Sequence, residues 1–173
     1  YPLSFREFLE AIRETQALEA LDIIPAPSFA LPRLMDLFHR YALVGGMPEV
    51  VARYAEKRDA VALAPIYRSL WTSFLDDIPK YARNETMKRV IRHCLEAAPL
   101  EAGGRIKFAG FGKSNYRSRE AGESLRTLEQ AMLVHLLAPT TSTEIPLVPD
   151  RRKSPKLLFL DVGLVNFSAG LQG

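Results

Sequence analysis

The chain has 173 residues, enough for one substantial hydrophobic core or two small ones. Its 47% hydrophobic and 25% charged residues are ordinary for a soluble globular protein. A single Cys excludes an internal disulfide, and no apolar run approaches the roughly 20 residues needed to cross a bilayer. The net charge of +3 permits a nucleic-acid partner without requiring one. Since no signal segment is visible, we expect a cytoplasmic protein with no membrane partner.

Helical patterns separated by proline and glycine fill the first half of the chain. Ser4 and Glu7 form a capping box, and apolar residues at helical spacing predict a first helix that runs to about Leu21. Gly45 and Gly46 mark the end of a second helix. The second predicted helix follows Pro32, and the third begins at Pro48. A fourth covers about Ala60 to Tyr81, and a fifth begins after its cap residue Asn84.

The stretch from Tyr116 to Asp161 has a different order of elements. An amphipathic helix leads into the apolar strand pattern around Val134, and a long basic, proline-rich turn leads to a second strand that ends at Asp161. Helix, strand, turn, strand is the second half of a winged-helix unit. We therefore predict a mainly α fold with a small β component, in which residues 1–82 form a helical adaptor and residues 83–173 a winged-helix-like region.

Two segments imitate a nucleotide site. Gly112-Lys113-Ser114 looks like the end of a P-loop, and Leu157 to Asp161 looks like a strand that ends in a magnesium-binding Asp. The first glycine of a P-loop would fall at Lys107, which cannot replace a residue of such backbone freedom. The sequence therefore predicts a glycine-containing turn here and no bound cofactor.

The sequence gives equally little support for a metal site or for a pair of acid–base groups. His93 and Cys94 are helix neighbours that point about 100° apart, and neither His39 nor His135 stands at metal-ligand spacing to them. Cys94 lies on an apolar stripe and is predicted to be a small core residue. Asp76 and Asp77 precede Lys80 near a helix end, where an ion pair is the expected role. We predict no catalytic or metal-binding residue.

Basic residues cluster in the predicted winged-helix region. From Arg105 to Arg126 there are six basic and two acidic residues, a local net charge of +4. Clustered cations are what contact with DNA phosphates requires, whereas the alternative is an ordinary solvated helix face on a protein-binding winged helix. The candidate nucleic-acid-binding residues are Lys113, Arg117, Arg119, Arg126, Arg151, Arg152 and Lys153.

Five ordered segments resemble landmarks of a known domain. The domain is uncharacterised and follows the ATPase core in a large bacterial and archaeal family of AAA-type ATPases. The resemblance extends over essentially the whole chain. The five segments are Tyr1–Leu9, Val44–Val51, Phe74–Tyr81, Ser118–Glu129 and Lys156–Leu164.

This resemblance implies a fragment without the catalytic parts of its parent protein. ATP and magnesium would bind only in an upstream ATPase core, the expected partner, and a restriction-endonuclease-like region would lie downstream. We expect a non-catalytic accessory module that recognises duplex DNA or regulates the ATPase. A protein-interaction scaffold and a part of a larger nuclease-like enzyme remain alternatives, and the oligomeric state stays open. The adaptor interpretation predicts an exposed apolar patch on the N-terminal helices.

Overall fold

The computed structural model describes residues 1–171, in which eight α-helices and two β-strands form. The predicted mainly α fold with a small β component is confirmed. The helices are α1 (Phe5–Ala11), α2 (Thr15–Leu21), α3 (Leu31–Val44), α4 (Pro48–Lys57), α5 (Ala64–Asp77), α6 (Glu85–Ala97), α7 (Ser118–Gln130) and α8 (Val162–Ser168). The strands are β1 (Val134–Leu137) and β2 (Lys156–Phe159).

The chain divides into two compact units. The first unit contains Tyr1–Leu70 and the C-terminal segment from Asp161, and the second contains Trp71–Leu160. The sequence-based boundary near Ala82 thus falls inside the second unit. The division also separates the charges: the second unit carries fifteen Lys and Arg against ten Asp and Glu, a net charge of +5, and the first carries eight against ten, a net charge of −2.

The capping box at the start of α1 is confirmed, but the single long helix is not. Ser4 Oγ accepts from the Glu7 N–H at 3.3 Å, and Glu7 Oε2 accepts from the Ser4 N–H at 2.7 Å. The helix ends at Ala11 because Arg13 adopts a left-handed conformation (φ +60°), after which the Glu14 N–H donates to the Leu9 carbonyl at 3.0 Å. Helices often end at a Gly in this conformation, but here the residue is Arg, so the sequence did not indicate the end of the helix.

In the first unit α1, α3 and α4 bury their apolar faces together. Phe8 and Tyr54 stack with ring centroids 5.9 Å apart, and Tyr67 of α5 stacks on Phe167 of α8 at 5.1 Å. The Tyr67 hydroxyl donates to the Val44 carbonyl at 2.6 Å, which gives this buried polar group a partner. The buried side chains of this unit include Phe8, Leu9, Ile12, Leu37, Val50, Val51, Tyr54, Leu63, Tyr67 and Leu164.

In the second unit α6 packs against α7 over one apolar core that includes Cys94, as predicted. The predicted Asn84 cap is present, since its Oδ1 accepts from the Met87 N–H at 2.8 Å. The strands pair antiparallel, with Val134 opposite Phe159 and Leu137 opposite Lys156. Residues 103–106 pair with β2 as well: the Gly103 N–H donates to the Leu157 carbonyl at 2.8 Å, and Arg105 forms a bridge to Lys156.

The segment that imitates a P-loop is a tight turn, as predicted. Phe111–Lys113 forms a short 3-10 helix in which Gly112 and Lys113 both have positive φ (+60° and +61°). A Cβ on Gly112 would lie 2.4 Å from that of Ala97, so only glycine fits against α6. The predicted ion pair is also present, with Lys80 Nζ 2.5 Å from Asp77 Oδ1.

Asp161 has a role other than the predicted end of a wing strand. The strand β2 ends at Phe159, and Asp161 is the N-cap of α8, with Oδ1 accepting from the Leu164 N–H at 3.1 Å. The side chain is buried because α8 packs with α3 in the first unit. A short polar residue directly after a strand pattern is compatible with both a strand end and a helix N-cap, and Asp161 is an N-cap.

Candidate nucleic-acid interface

All seven candidate basic side chains lie in the second unit and are exposed. Lys113 ends the 3-10 turn, Arg117 is the N-cap of α7, and Arg119 and Arg126 lie on α7 itself. Glu120 Oε2 accepts from the Arg117 N–H at 2.8 Å and so caps the helix start. The three remaining residues, Arg151, Arg152 and Lys153, lie in the connection between β1 and β2.

Three of these residues meet at one cleft, although they come from distant parts of the sequence. Arg126, Arg151 and Lys153 line a concave site of about 420 Å³, together with His135 and Leu137 of β1 and with Phe108. We call this site the basic cleft. Four of the predicted residues are not in its lining: Lys113, Arg117, Arg119 and Arg152.

One wall of the basic cleft is an arginine held over an aromatic ring. The guanidinium carbon of Arg126 lies 5.6 Å from the centroid of the Phe108 ring, a cation–π contact. A Cβ on Gly122 would lie 3.3 Å from the Phe108 ring, which shows how closely the ring lies against α7. Sequence reasoning missed Phe108, because a lone aromatic residue in a loop gives no signal of its own.

The lining of the basic cleft also contains a carboxylate that already has partners. Glu129 Oε1 accepts from the Leu136 N–H at 2.7 Å and lies 3.4 Å from His135 Nδ1. Glu129 is the single acidic side chain that the structure places in the lining of the cleft, against the cations Arg126, Arg151 and Lys153. The cleft therefore has a positive surplus, with its one carboxylate occupied by a backbone amide.

The connection between β1 and β2 is closed at its base and apolar at its tip. The Asp150 N–H donates to the Pro139 carbonyl at 2.7 Å, and Asp150 Oδ1 accepts from the Arg152 N–H at 3.0 Å. Beyond this closure, Ile145 has 91% of its surface exposed. The closure fixes where Arg151 and Lys153 emerge beside β1.

The first unit exposes an apolar stripe on α3, whereas the first predicted helix is largely buried on its apolar face. Of the predicted first helix, Phe8, Leu9 and Ile12 are buried, and Phe5 is half-buried. Four exposed apolar side chains lie together on α3 and the loop before it. The members of this α3 stripe are Phe29, Leu31, Met35 and Phe38.

A larger cleft of about 650 Å³ also lies in the first unit, beside the break between α1 and α2. Its charged groups are mostly occupied. Arg58 Nη2 donates to the Ile12 carbonyl at 2.5 Å, and Glu14 pairs with Arg33 at 2.6 Å. The basic cleft is the better candidate, since it has a surplus of cations beside apolar surface.

The described part of the chain offers no group of three or more His, Cys, Asp or Glu side chains able to hold a metal ion. Burial raises the pKa of the Cys94 thiol to about 12, which is far from the range of a reactive thiolate. Within residues 1–171, none of the helices combines the length and apolarity needed to span a membrane.

Comparison with known proteins gives a family without a known activity. A family model described as a domain of unknown function, DUF8612, matches residues 35–173. Searches of the curated proteins and of the solved structures find no match. The matched range contains all seven candidate basic residues and most of the chain. The chain therefore belongs to the DUF8612 family of domains of unknown function.

Proposed function

We propose that the chain is a non-catalytic accessory module that binds duplex DNA through its second unit, which is arranged as a winged helix. The observation that carries the proposal is the convergence of Arg126, Arg151 and Lys153 on one cleft. The first lies on α7 and the other two lie in the connection between the strands, so two elements bring cations to one place. In a winged helix these elements are the recognition helix and the wing.

The order of elements in the second unit supports the winged-helix part of this proposal. The helix α6 is followed by residues 103–106, which pair with β2, then by the turn Phe111–Lys113, α7, β1 and β2. A winged helix has the same order: helix, short strand, second helix, recognition helix and a two-stranded wing. In this proposal the 3-10 turn Phe111–Lys113 takes the place of the second helix.

The positions of the arginines on α7 support a role in binding. Arg117 and Arg119 lie at the start of the helix, where the positive end of the helix dipole disfavours a cation by about 0.3–1 kcal/mol. Helix stability alone does not account for basic residues there. A DNA backbone next to this helix end would account for them, because each phosphate that a cation neutralises releases condensed counterions.

The five resembling segments support the rest of the proposal. On this basis the module follows an AAA-type ATPase core in the same cytoplasmic polypeptide, and that core binds ATP and magnesium. The charge distribution agrees with protein contact through one unit and DNA contact through the other. The unit with net charge −2 carries the α3 stripe, and the unit with net charge +5 carries the basic cleft.

A paired-variant binding experiment tests the DNA part. Arg151→Ala with Lys153→Ala removes two cations of the cleft, and Arg53→Ala with Lys57→Ala removes two exposed cations of the first unit. We expect the cleft variant to bind a labelled 20-base-pair duplex about tenfold or more weakly in low salt, and the control to bind like the unmodified chain. Equal losses in both variants, or no binding by the unmodified chain, would refute the proposal.

A second candidate function is a protein-binding scaffold, and the α3 stripe favours it. Leu31 and Met35 are one helical turn apart and are 46% and 50% exposed, a continuous apolar surface of the kind that marks an interface. The test is association with a separately expressed AAA-type core of the parent protein. Leu31→Gln with Met35→Gln should abolish it, and unchanged association would remove the stripe from consideration.

A further inference from the structure

We propose that the basic cleft holds an unstacked nucleotide, so that DNA with an unpaired end binds more tightly than a blunt duplex. The inference rests on the proposed function and deepens it, because it names the form of DNA that the site selects. The basis is the combination of concave shape, apolar surface and a guanidinium over an aromatic ring. A surface that only neutralised phosphates would need none of these three features.

The shape of the cleft suits a single nucleotide better than a stacked duplex. At about 420 Å³ it falls within the range of about 300–1,000 Å³ that small-ligand pockets occupy. Bases in a continuous duplex are stacked on both faces and reach a protein only by their edges in the grooves. A base enters a concave site only after it leaves the stack.

The lining supplies both the flat surface and the apolar contact that a base requires. Arg126 lies over Phe108, and a guanidinium plane stacks on a nucleobase as it does on an aromatic ring. Leu137, which is 48% exposed although it belongs to a paired strand, adds apolar surface to the same cleft. Both contacts tolerate any base, since every base has a π face.

Two further cations of the lining supply the charge for the phosphate of the same nucleotide. Arg151 and Lys153 emerge from the connection whose base is closed by the Asp150 N–H on the Pro139 carbonyl. The carboxylate of Glu129 is held by the Leu136 amide and lies beside His135, so it opposes an anion less than a free carboxylate would. A stacking surface and two further cations in one lining match the base and the phosphate of one nucleotide.

The test compares two DNA molecules and two conservative variants. The DNAs are a blunt 20-base-pair duplex and the same duplex with a three-nucleotide overhang that carries 2-aminopurine, whose emission falls on stacking. Arg126→Lys keeps the charge but removes the planar group. The matched control is Arg92→Lys, at an exposed arginine of α6 that is outside the cleft lining and is not one of the candidate binding residues. Thermal unfolding establishes that both variants fold.

We expect the unmodified chain to prefer the overhang by about tenfold and to quench 2-aminopurine. Arg126→Lys should remove the preference and the quenching, because it loses the planar group, and Arg92→Lys should retain both. Equal affinity for the two DNAs, without quenching, would overturn this inference and leave the proposed function standing. Absence of binding to either DNA would overturn both. A variant Arg126→Lys with full preference would show that the stacking surface lies elsewhere.

Discussion

The buried carboxylate of Asp161 accepts a hydrogen bond from the backbone N–H of Gly46 at 2.6 Å, across 115 residues of sequence. Its other oxygen caps α8 through the Leu164 N–H. One side chain thereby ties the turn that follows α3 to the start of α8 within the first unit. The glycines around it make the approach close enough: a Cβ on Gly45 would lie 2.3 Å from Asp161 Oδ1.

Removal of this carboxylate should destabilise the first unit. Asp161→Ala removes the buried acceptor of the Gly46 and Leu164 N–H groups, and we expect the free energy of unfolding to fall by about 1–3 kcal/mol. Urea unfolding followed by circular dichroism measures the change. The control is Asp76→Ala, an exposed carboxylate for which we expect a change within about 0.5 kcal/mol. Equal stability of the Asp161 variant and the unmodified chain would contradict this role.

The same carboxyl should give the stability a specific pH dependence. Burial raises the pKa of Asp161 above its ordinary 3.8, and this effect exceeds the opposing one of the Gly46, Leu164 and Gly163 amides. A higher pKa in the folded state means that the folded chain binds the proton more tightly, so the contribution is fullest below pH 3.8 and declines as the pH rises through the raised pKa.

The measurement compares the unmodified chain with Asp161→Asn from pH 3 to pH 7. Other titrating groups are shared and cancel in the difference. We expect the free energy of unfolding of the unmodified chain, relative to the variant, to fall with rising pH. A difference that grows with pH would mean that the amide hydrogen bonds lower the pKa of Asp161 more than burial raises it.

Gly163 should tolerate no side chain. A Cβ there would lie 2.2 Å from the Val44 carbonyl oxygen and 2.9 Å from the Tyr67 hydroxyl, so α8 would have to move away from α3. We expect Gly163→Ala to lower the free energy of unfolding by about 1–3 kcal/mol and to lower the melting temperature accordingly. Gly104→Ala is the control, since its Cβ would meet only the Glu101 carbonyl at 3.4 Å. A melting temperature for Gly163→Ala equal to that of the control would contradict the packing.

The thiol of Cys94 should be inert in the folded chain. Burial raises its pKa to about 12, so almost no thiolate forms at neutral pH, and its side chain lies inside the core of the second unit. We expect negligible reaction with a disulfide reagent under native conditions and complete reaction of one thiol in denaturant. Fast native labelling would mean that this core opens readily.

Sequence patterns predicted those features whose causes are local. The capping residues Ser4 and Asn84, the core position of Cys94 and the Asp77–Lys80 pair all depend on residues within one or two helical turns. Two further predictions were wrong. The helix break at Arg13 was missed because a non-glycine residue takes the left-handed conformation, and Asp161 was placed at a strand end. The position of Asp161 depends on packing between segments that lie far apart in sequence.

The basic cleft shows the same limit. Charge counting found Arg126, Arg151 and Lys153 separately, since clusters of Lys and Arg are visible in any sequence. That these three share a cleft follows from the antiparallel register of β1 and β2 and from the closure of their connection at Asp150. Phe108 and Glu129 enter the site only through folded geometry, because neither belongs to a pattern of its own.

The salt dependence of duplex DNA binding tests the central claim most directly. The affinity of the unmodified chain for a 20-base-pair duplex is measured by fluorescence anisotropy between 50 and 300 mM salt, and log K is plotted against log salt concentration. Three cleft cations together with the other exposed candidates should contact about three to seven phosphates, which predicts a slope between about −3 and −6. Binding that is absent at the lowest salt, or a slope near zero, would contradict recognition of DNA by the basic cleft.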